Sequence, residues 1–392
     1  MEYITVHEKK VAITRSCDVL VAGGGVAGIA AALSAARQGA DVTLVEQQWL
    51  LGGLATAGIV TVFLPLCDGM GNQQIYGITE ELLRLSIRYG HEARYPKAWL
   101  EGGTFEEKRD GQRFLVQFNP QMFALAAEEL LLAEGVKILY GAKVTDVQME
   151  DGAIRACVLN TREGDSGIAC RAVVDSTGDA DLCVQAGEEL YLYGAGELNF
   201  ASLWCYFSSY GDEGAGYKIF AENYKENRRY DGTKADDLSD QMIYVHQQLL
   251  SRTFKQREAT GDQNLMPVTM PTIPPIRCTR GIKGAYTLDE SEEGVVFADS
   301  IGRTTDWRKR GPVFTVPYRC LYGKTKNLLT AGRNISVTEP MWDITRCIPT
   351  CGVTGEAAGI AAAMSAAAGV SVQELDVQAL QAKLAANGVR VD

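Results

Sequence analysis

The sequence predicts an α/β chain: a dinucleotide-binding sheet drawn from both ends of the chain, with an α+β segment inserted between them. Three observations carry that expectation. Asp18–Ala22 is a short apolar run, followed by Gly23, Gly25 and Gly28 in G-x-G-x-x-G spacing, a helical segment Ile29–Arg37, and a second apolar run Val42–Val45 that closes on Glu46. Strand-like runs end on small residues and glycine twice more, at Thr177–Gly178–Asp179 and Ala331–Gly332–Arg333. Between them, from Phe200 to Pro275, the composition turns aromatic, then polar, then proline-rich. The expected organisation is residues 1–190 and 313–392 as one Rossmann-like domain and residues 191–312 as a substrate cap.

Each element has a local reason. Tyr3–Thr14 alternates apolar and polar residues, as a leading strand or hairpin does. Gly23 permits the tight strand-to-helix turn, Gly25 lets a pyrophosphate approach the backbone, and Gly28 lets the helix pack closely on the sheet. The uncapped N–H groups of that helix then face the phosphates. Glu46 stands where an acid accepts the ribose hydroxyls, which disfavours a 2′-phosphate. The turn by itself leaves FAD, NAD and a plain packing turn open. Leu50–Gly58 holds the glycine pair Gly52–Gly53 in an unusually apolar loop, where something approaches the backbone closely.

Ile78–Tyr89 reads as an amphipathic helix, and Asn119–Glu134 as another with Asn119 as its cap and Pro120 in first position. Val136–Tyr140, Lys143–Gln148, Ile154–Leu159 and Ile168–Val174 read as strands. Phe200–Phe207 has strand character, Tyr217–Glu258 reads as mostly helical, and Met266–Pro275 as extended. Leu328–Thr330 is a buried strand, and Gly352–Ala368 an Ala/Gly-rich helix suited to packing on a sheet.

A chain of 392 residues with 46% hydrophobic and 22% charged content buries a sizeable core. Its net charge of −11 argues against nucleic acid or an anionic membrane as main partner. No run has membrane-spanning or signal-peptide length, so a cytoplasmic location is the default expectation. The ten cysteines contain no C-x-x-C pair and only three histidines accompany them, which gives no zinc set and no expected metal.

Four ordered motifs carry a family resemblance: Leu51–Gly52–Gly53–Leu54–Ala55–Thr56–Ala57–Gly58; Ser176–Thr177–Gly178–Asp179–Ala180–Asp181; the arginine-rich Arg277–Gly284; and Ala331–Gly332–Arg333–Asn334–Ile335–Ser336 with Arg346–Cys347–Ile348–Pro349–Thr350–Cys351. With the opening turn they resemble the FAD-dependent oxidoreductases of the glutathione-reductase-like flavoprotein class, over nearly the whole chain. The resemblance implies FAD as cofactor. Gly25, Val26 and Ala27 would meet the pyrophosphate. Glu46, with Gln47 beside it, would meet the adenosine ribose, and Val144 the adenine. Gly52, Gly53 and Leu54 would line the ribityl chain and flavin edge. Thr177, Gly178 and Asp179 would sit on the pyrophosphate side, with Gly332 and Arg333 at the flavin end. The last helix would aim its N-terminus, around Thr350 to Val353, at the flavin N1–C2 carbonyl.

The chain departs from the group where substrate should be met. Glu339 replaces a common His, Trp342–Asp343–Ile344 replaces Gln-Gly-Ser, and Cys278 and Gly281 replace a Glu and an Arg. The candidate catalytic residues are Arg346, which needs a partner in an apolar run, Glu339 as acid/base, and Arg280, which with Arg277 could fork onto an anion. The competing reading gives Arg346 a salt bridge between loops, and pairs Arg277 and Arg280 with Asp289 or Glu290. Cys347 and Cys351 read as buried thiols in preference to a redox pair, Cys67 as a conceivable covalent flavin link, and His91 and His246 as surface residues. The expected reaction is hydride transfer between flavin N5 and a small organic substrate, carbohydrate- or carboxylate-like. The rivals are a flavin-binding electron-transfer subunit, a flavin monooxygenase or halogenase, and an NAD-dependent dehydrogenase. The small-molecule substrate is the main expected partner, and a homo-oligomer stays open.

Overall fold

The structure is a computed structural model that describes residues 9–88, 96–209 and 218–392. The leading Tyr3–Thr14 element lies largely outside the described residues, as do His7, His91 and the end of the Ile78–Tyr89 helix, described here as Ile78–Ile87.

A seven-stranded sheet forms the centre, in the order Lys137–Tyr140, Val42–Glu46, Ile13–Ala22, Gly164–Asp175, Ala153–Thr161, Lys143–Glu150. Leu328–Thr330 pairs in parallel with the end of Gly164–Asp175, beside the antiparallel stretch that Ala153–Thr161 occupies. The C-terminal part of the chain thus completes the sheet that the N-terminal part begins. The parallel strands are buried on both faces, which is why Val19–Ala22 and Val42–Val45, with Thr43 as their one polar residue, read as apolar runs.

The helix after the opening turn spans Val26–Arg37, starting inside the glycine motif. Asn119 caps Pro120–Ala133 by accepting from Met122 N at 3.0 Å. The last long helix spans Ile348–Ala368, with Pro349 in its first turn. Its tightest packing is against the helix Val26–Arg37. A β-carbon at Gly355 would lie 2.2 Å from Ala27 O, and one at Gly359 would lie 2.1 Å from Ala31 O. Between them the Ser34 hydroxyl donates to Glu356 O at 3.0 Å. Small residues let the two backbones touch.

The Glu356 side chain, buried on the other side of the same helix, accepts from Ile78 N and Asn387 Nδ2, both at 2.9 Å. Burial pushes its carboxyl up to about 7, against the pull of the bonds from Asn387 and Ile78. The folded chain therefore holds this proton to higher pH than the unfolded chain. Its contribution to stability is largest below the ordinary glutamate range and is lost as pH rises from about 4.5 through about 7. Glu356→Gln should flatten that part of the stability–pH curve, visible as a difference between the two melting profiles that grows with pH over this window. A constant difference would show that Glu356 does not titrate there.

The inserted segment contains a three-stranded antiparallel sheet with Ala201–Ser209 in the middle, Lys218–Tyr224 on one edge and Leu265–Thr269 on the other. The polar stretch 217–258 is mostly helical, in the helix Ala235–Thr260, but it opens on a strand that the sequence reading lacked. The aromatic strand offered an edge that a short polar segment could pair with, and such pairing leaves little local trace. That helix lays Val245, Leu249 and Thr253 onto the sheet. A C-terminal helix, Val377–Ala386, is capped by Asp376. Among the described residues no helix is long and apolar enough to cross a membrane.

Candidate functional site

The strands ending at Ala22, Glu46, Asp175 and Thr330 open at one edge of the sheet into a cleft of about 420 Å³. Gly23 N donates to Val45 O at 2.8 Å, and its φ of +101° suits glycine. A β-carbon there would lie 2.5 Å from Ser176 O, and one at Gly28 would lie 1.8 Å from Gly23 O. Both glycines are required by the protein's own packing, and Gly28 does not reach the cleft.

Gly25 is different. Its φ is −65°, open to any residue, and a β-carbon would meet no protein atom within 4 Å. It lines the cleft, and the helix behind it starts at Val26 without a side-chain cap. The protein leaves open backbone, free N–H groups and empty space together, which is what a phosphate group needs.

Glu46 is buried on the cleft wall. Its Oε2 accepts from Gly24 N at 2.7 Å and its Oε1 from Gln48 N at 2.6 Å. Burial raises its carboxyl pKa, while the N–H bonds from Gln48 and Gly24 pull the other way. Gly52 N donates to Gly24 O at 2.7 Å, and a β-carbon at Gly53 would lie 3.2 Å from Gly25 Cα. The second glycine pair is laid backbone-on-backbone against the first.

The Asp175 carboxylate, fully buried, accepts from Thr177 N and Oγ1 and from Leu182 N and Cys183 N. It fixes the Thr177–Gly178 turn. Asp179 takes the Thr279 hydroxyl at 2.8 Å and pairs with Arg333 at 3.3 Å. Arg333 also donates to Arg277 O at 2.9 Å, tying the inserted segment to the sheet. Gly332 N donates to Thr354 Oγ1 at 3.0 Å, which docks the closing helix.

Most residues expected to hold the cofactor therefore line one cleft, from Gly23, Gly25, Val26, Ala27, Glu46 and Gln47 through Gly52, Gly53, Leu54 and Val144 to Thr177, Gly178, Asp179, Gly332 and Arg333. Thr350 and Val353 do not. Thr350 shares a 2.6 Å hydrogen bond with Thr304, and Val353 packs toward Gly302. Because the helix starts at Ile348, it is Ile348 and Cys351 that turn to the cleft.

Of the catalytic candidates only Arg346 lines the cleft, and it is also ion-paired to Asp343 at 2.6 Å. The salt bridge is a local one, to the last turn of the helix Glu339–Thr345, and does not tie two loops. Glu339 is exposed at the start of the helix Glu339–Thr345, outside the lining. Arg280 pairs with Asp181 and Asp179 O, both at 3.0 Å, also outside it. Neither Arg277 nor Arg280 pairs with Asp289 or Glu290. Asp289 caps the turn Glu290–Glu292 and accepts the Thr338 hydroxyl at 2.8 Å. Arg277 lies 3.9 Å over the Phe200 ring and donates to Phe200 O and Ser202 Oγ. Burial first, then the neighbouring Arg346, push its pKa down to about 9. Cys67 is buried away from the cleft and accepts from Phe114 N, so it is not placed to link a flavin. All ten cysteines are free and buried, and the Cys347 and Cys351 thiols face the Asp343 and Arg346 carbonyls.

The sequence reading did not single out the inserted segment's share of the lining: Gly232, Leu238, Thr272–Pro274 and Ile276. Thr272 N donates to Ala57 O at 2.8 Å, so the proline-rich stretch closes onto the loop after Gly53. Its extended, proline-stiffened composition was the available signal.

The family described as FAD dependent oxidoreductase matches residues 18–229 and 207–384. The chain belongs to that family. The FAD dependent oxidoreductase fold is seen again in a geranylgeranyl bacteriochlorophyll reductase-like protein from Thermoplasma acidophilum, at 12% identity over 96% of this chain and 92% of that one, with a TM-score of 0.50. The p-nitrophenol 4-monooxygenase PnpA from Pseudomonas putida DLL-E4 is similar at 13% identity over 96% and 89%, with a TM-score of 0.47. No curated protein matches the sequence. FAD is the family's cofactor, and the Gly25 opening fits its pyrophosphate. The protein is an FAD-dependent enzyme.

Proposed function

We propose that this flavoenzyme transfers a hydride between flavin N5 and a small organic substrate bearing a carboxylate, and that Arg346 receives the carboxylate. The supporting observation is a cation on the cleft lining, at the N-terminus of the closing helix, whose Nη1 makes no hydrogen bond among the described residues. Arg277, behind it, pairs with no carboxylate within 4 Å among those residues, so it adds a positive charge beside the Arg346–Asp343 pair.

In this reading the backbone of Gly25, Val26 and Ala27 holds the pyrophosphate, and Glu46 with Gln47 the adenosine ribose. Val144 lies at the adenine, Gly52–Leu54 along the ribityl chain, and Thr177–Asp179 on the pyrophosphate side. Gly332, Arg333 and the Ile348–Cys351 turn lie at the flavin, where a helix N-terminus favours negative charge. FAD supplies the hydride chemistry, and the protein supplies binding, orientation and exclusion of water. Residues 191–312 act as the cap, with Leu238 and Thr272–Ile276 closing the cleft. With Glu339 on the surface, proton exchange is left to the substrate and water.

Anaerobic bleaching of the flavin by hydroxy acids, sugar acids and unsaturated acids, each beside its neutral amide, tests the reading. The acids should bleach the flavin and the amides should be at least about tenfold weaker. Arg346→Met should raise the half-saturating acid concentration by roughly 10- to 100-fold with flavin content unchanged, since Asp343 keeps Arg308 at 3.5 Å. Equal bleaching by acid and amide, or bleaching by NADH alone, would overturn it.

A further inference from the structure

The back of the cap carries a seam that the cleft does not use. On the helix Ala235–Thr260, Asp240, Ile243, Gln247, Leu250, Phe254 and Arg257 follow one another in alternating steps of three and four residues. That is the spacing of a coiled-coil seam. The inner face, with Val245 and Leu249, is buried on the cap sheet. On the seam Ile243 is 54% exposed, Leu250 59% and Phe254 58%. Single exposed apolar residues are ordinary, but three large ones in register along one helix stripe form a patch.

The charges choose the partner. The helix starts acidic, with Asp236, Asp237 and Asp240, of which Asp237 and Asp240 share Arg228, and its end is net basic, with Arg252, Lys255 and Arg257 against Glu258. A copy of the same helix laid alongside in parallel would set Asp240 against Asp240 and Arg257 against Arg257. Laid antiparallel, it does the reverse. We propose that two copies of this chain pair through this helix, antiparallel, about a twofold axis crossing it between positions 248 and 249. In that register Ile243 meets the partner's Phe254, Gln247 meets the partner's Leu250, and Asp240 meets the partner's Arg257. Every contact is then repeated by symmetry, as a twofold interface requires. The three apolar anchors supply the adhesion, and the acidic and basic ends set orientation and register. One such helix pair is a small interface, so the dimer dissociates in the micromolar range and weakens with salt. Leu238, two residues before Asp240 and on the inner face, lines the cleft, so the pairing braces the wall over the flavin from behind.

Sedimentation equilibrium of the flavin-loaded full chain tests this over micromolar concentrations. The wild type should be a monomer–dimer mixture. Phe254→Glu and Leu250→Glu should each raise the dissociation constant about thirtyfold or more, with an unchanged flavin spectrum. Asp240→Arg should weaken the dimer, and adding Arg257→Asp in the same chain should restore it. A wild type that stays monomeric throughout, or a dimer indifferent to Phe254→Glu, would overturn the surface. A charge-exchanged double variant no tighter than Asp240→Arg alone would overturn the antiparallel register.

Discussion

Changing Gly25 to aspartate should empty the flavin site while leaving the apoprotein at least as stable as before. The two effects have opposite signs because Gly25 serves the ligand and not the fold. It is the cap position of the helix Val26–Arg37, in extended backbone with φ −65° and ψ 178°. A β-carbon there touches nothing in the protein within 4 Å. Aspartate is a good cap in that conformation, and its charge suits the helix N-terminus, together contributing about 0.5–1 kcal/mol to the empty protein. In the loaded protein the same carboxylate stands where the pyrophosphate approaches. Charge repulsion and lost space should weaken FAD at least about a hundredfold, roughly 3 kcal/mol. The flavin-to-protein ratio after desalting and the melting of both apoproteins measure the two effects. Retained flavin would place the pyrophosphate elsewhere. An apoprotein weakened by several kcal/mol would mean that the fold needs this glycine after all.

The second large effect is on folding. Gly359→Val would put a β-carbon 2.1 Å from Ala31 O and from Ser34 Oγ. Backbone cannot yield there as a side chain can, so the two helices must part along their whole contact. That separation also strips the Ser34 bond to Glu356 O. A loss beyond about 4 kcal/mol follows, a large share of a typical 5–15 kcal/mol stability. Gly369 is the internal comparison. It ends the same helix at φ +66° with open space around it, so Gly369→Ala should cost only about 1 kcal/mol. Urea unfolding of the two variants side by side decides the matter; similar losses would show that the helix contact is not tight.

What the sequence made legible was local. The opening turn, the acid at Glu46 and the Asn119–Pro120 start depend on neighbours within a few residues, and each stands where local chemistry puts it. The closing helix starts at Ile348, four residues before the Gly352 that its Ala/Gly composition suggested, and it is Ile348 and Cys351, in place of the Thr350 and Val353 that the resemblance implied, that line the cleft. Pro349 was the cue, since proline favours the first turn. Partners distant along the chain were not legible. Arg280 meets Asp181, 99 residues away, and only the folded path of the inserted segment brings that carboxylate within reach. The strand Lys218–Tyr224 escaped for the same reason: its edge partner, not its composition, makes it a strand.

The cleft draws its walls from residues near 23–54, 175–179 and 331–351, with the closing helix locked to the opening one. On the ribosome, then, the two parts of the nucleotide fold appear far apart in time. Some three hundred residues must emerge between the two helices that touch through Gly355 and Gly359, and until the second arrives the first has no companion for its alanine face. From about residue 175 the nascent protein holds six of the seven strands and waits for Leu328–Thr330, and a stable flavin site must await that strand and the helix Ile348–Ala368.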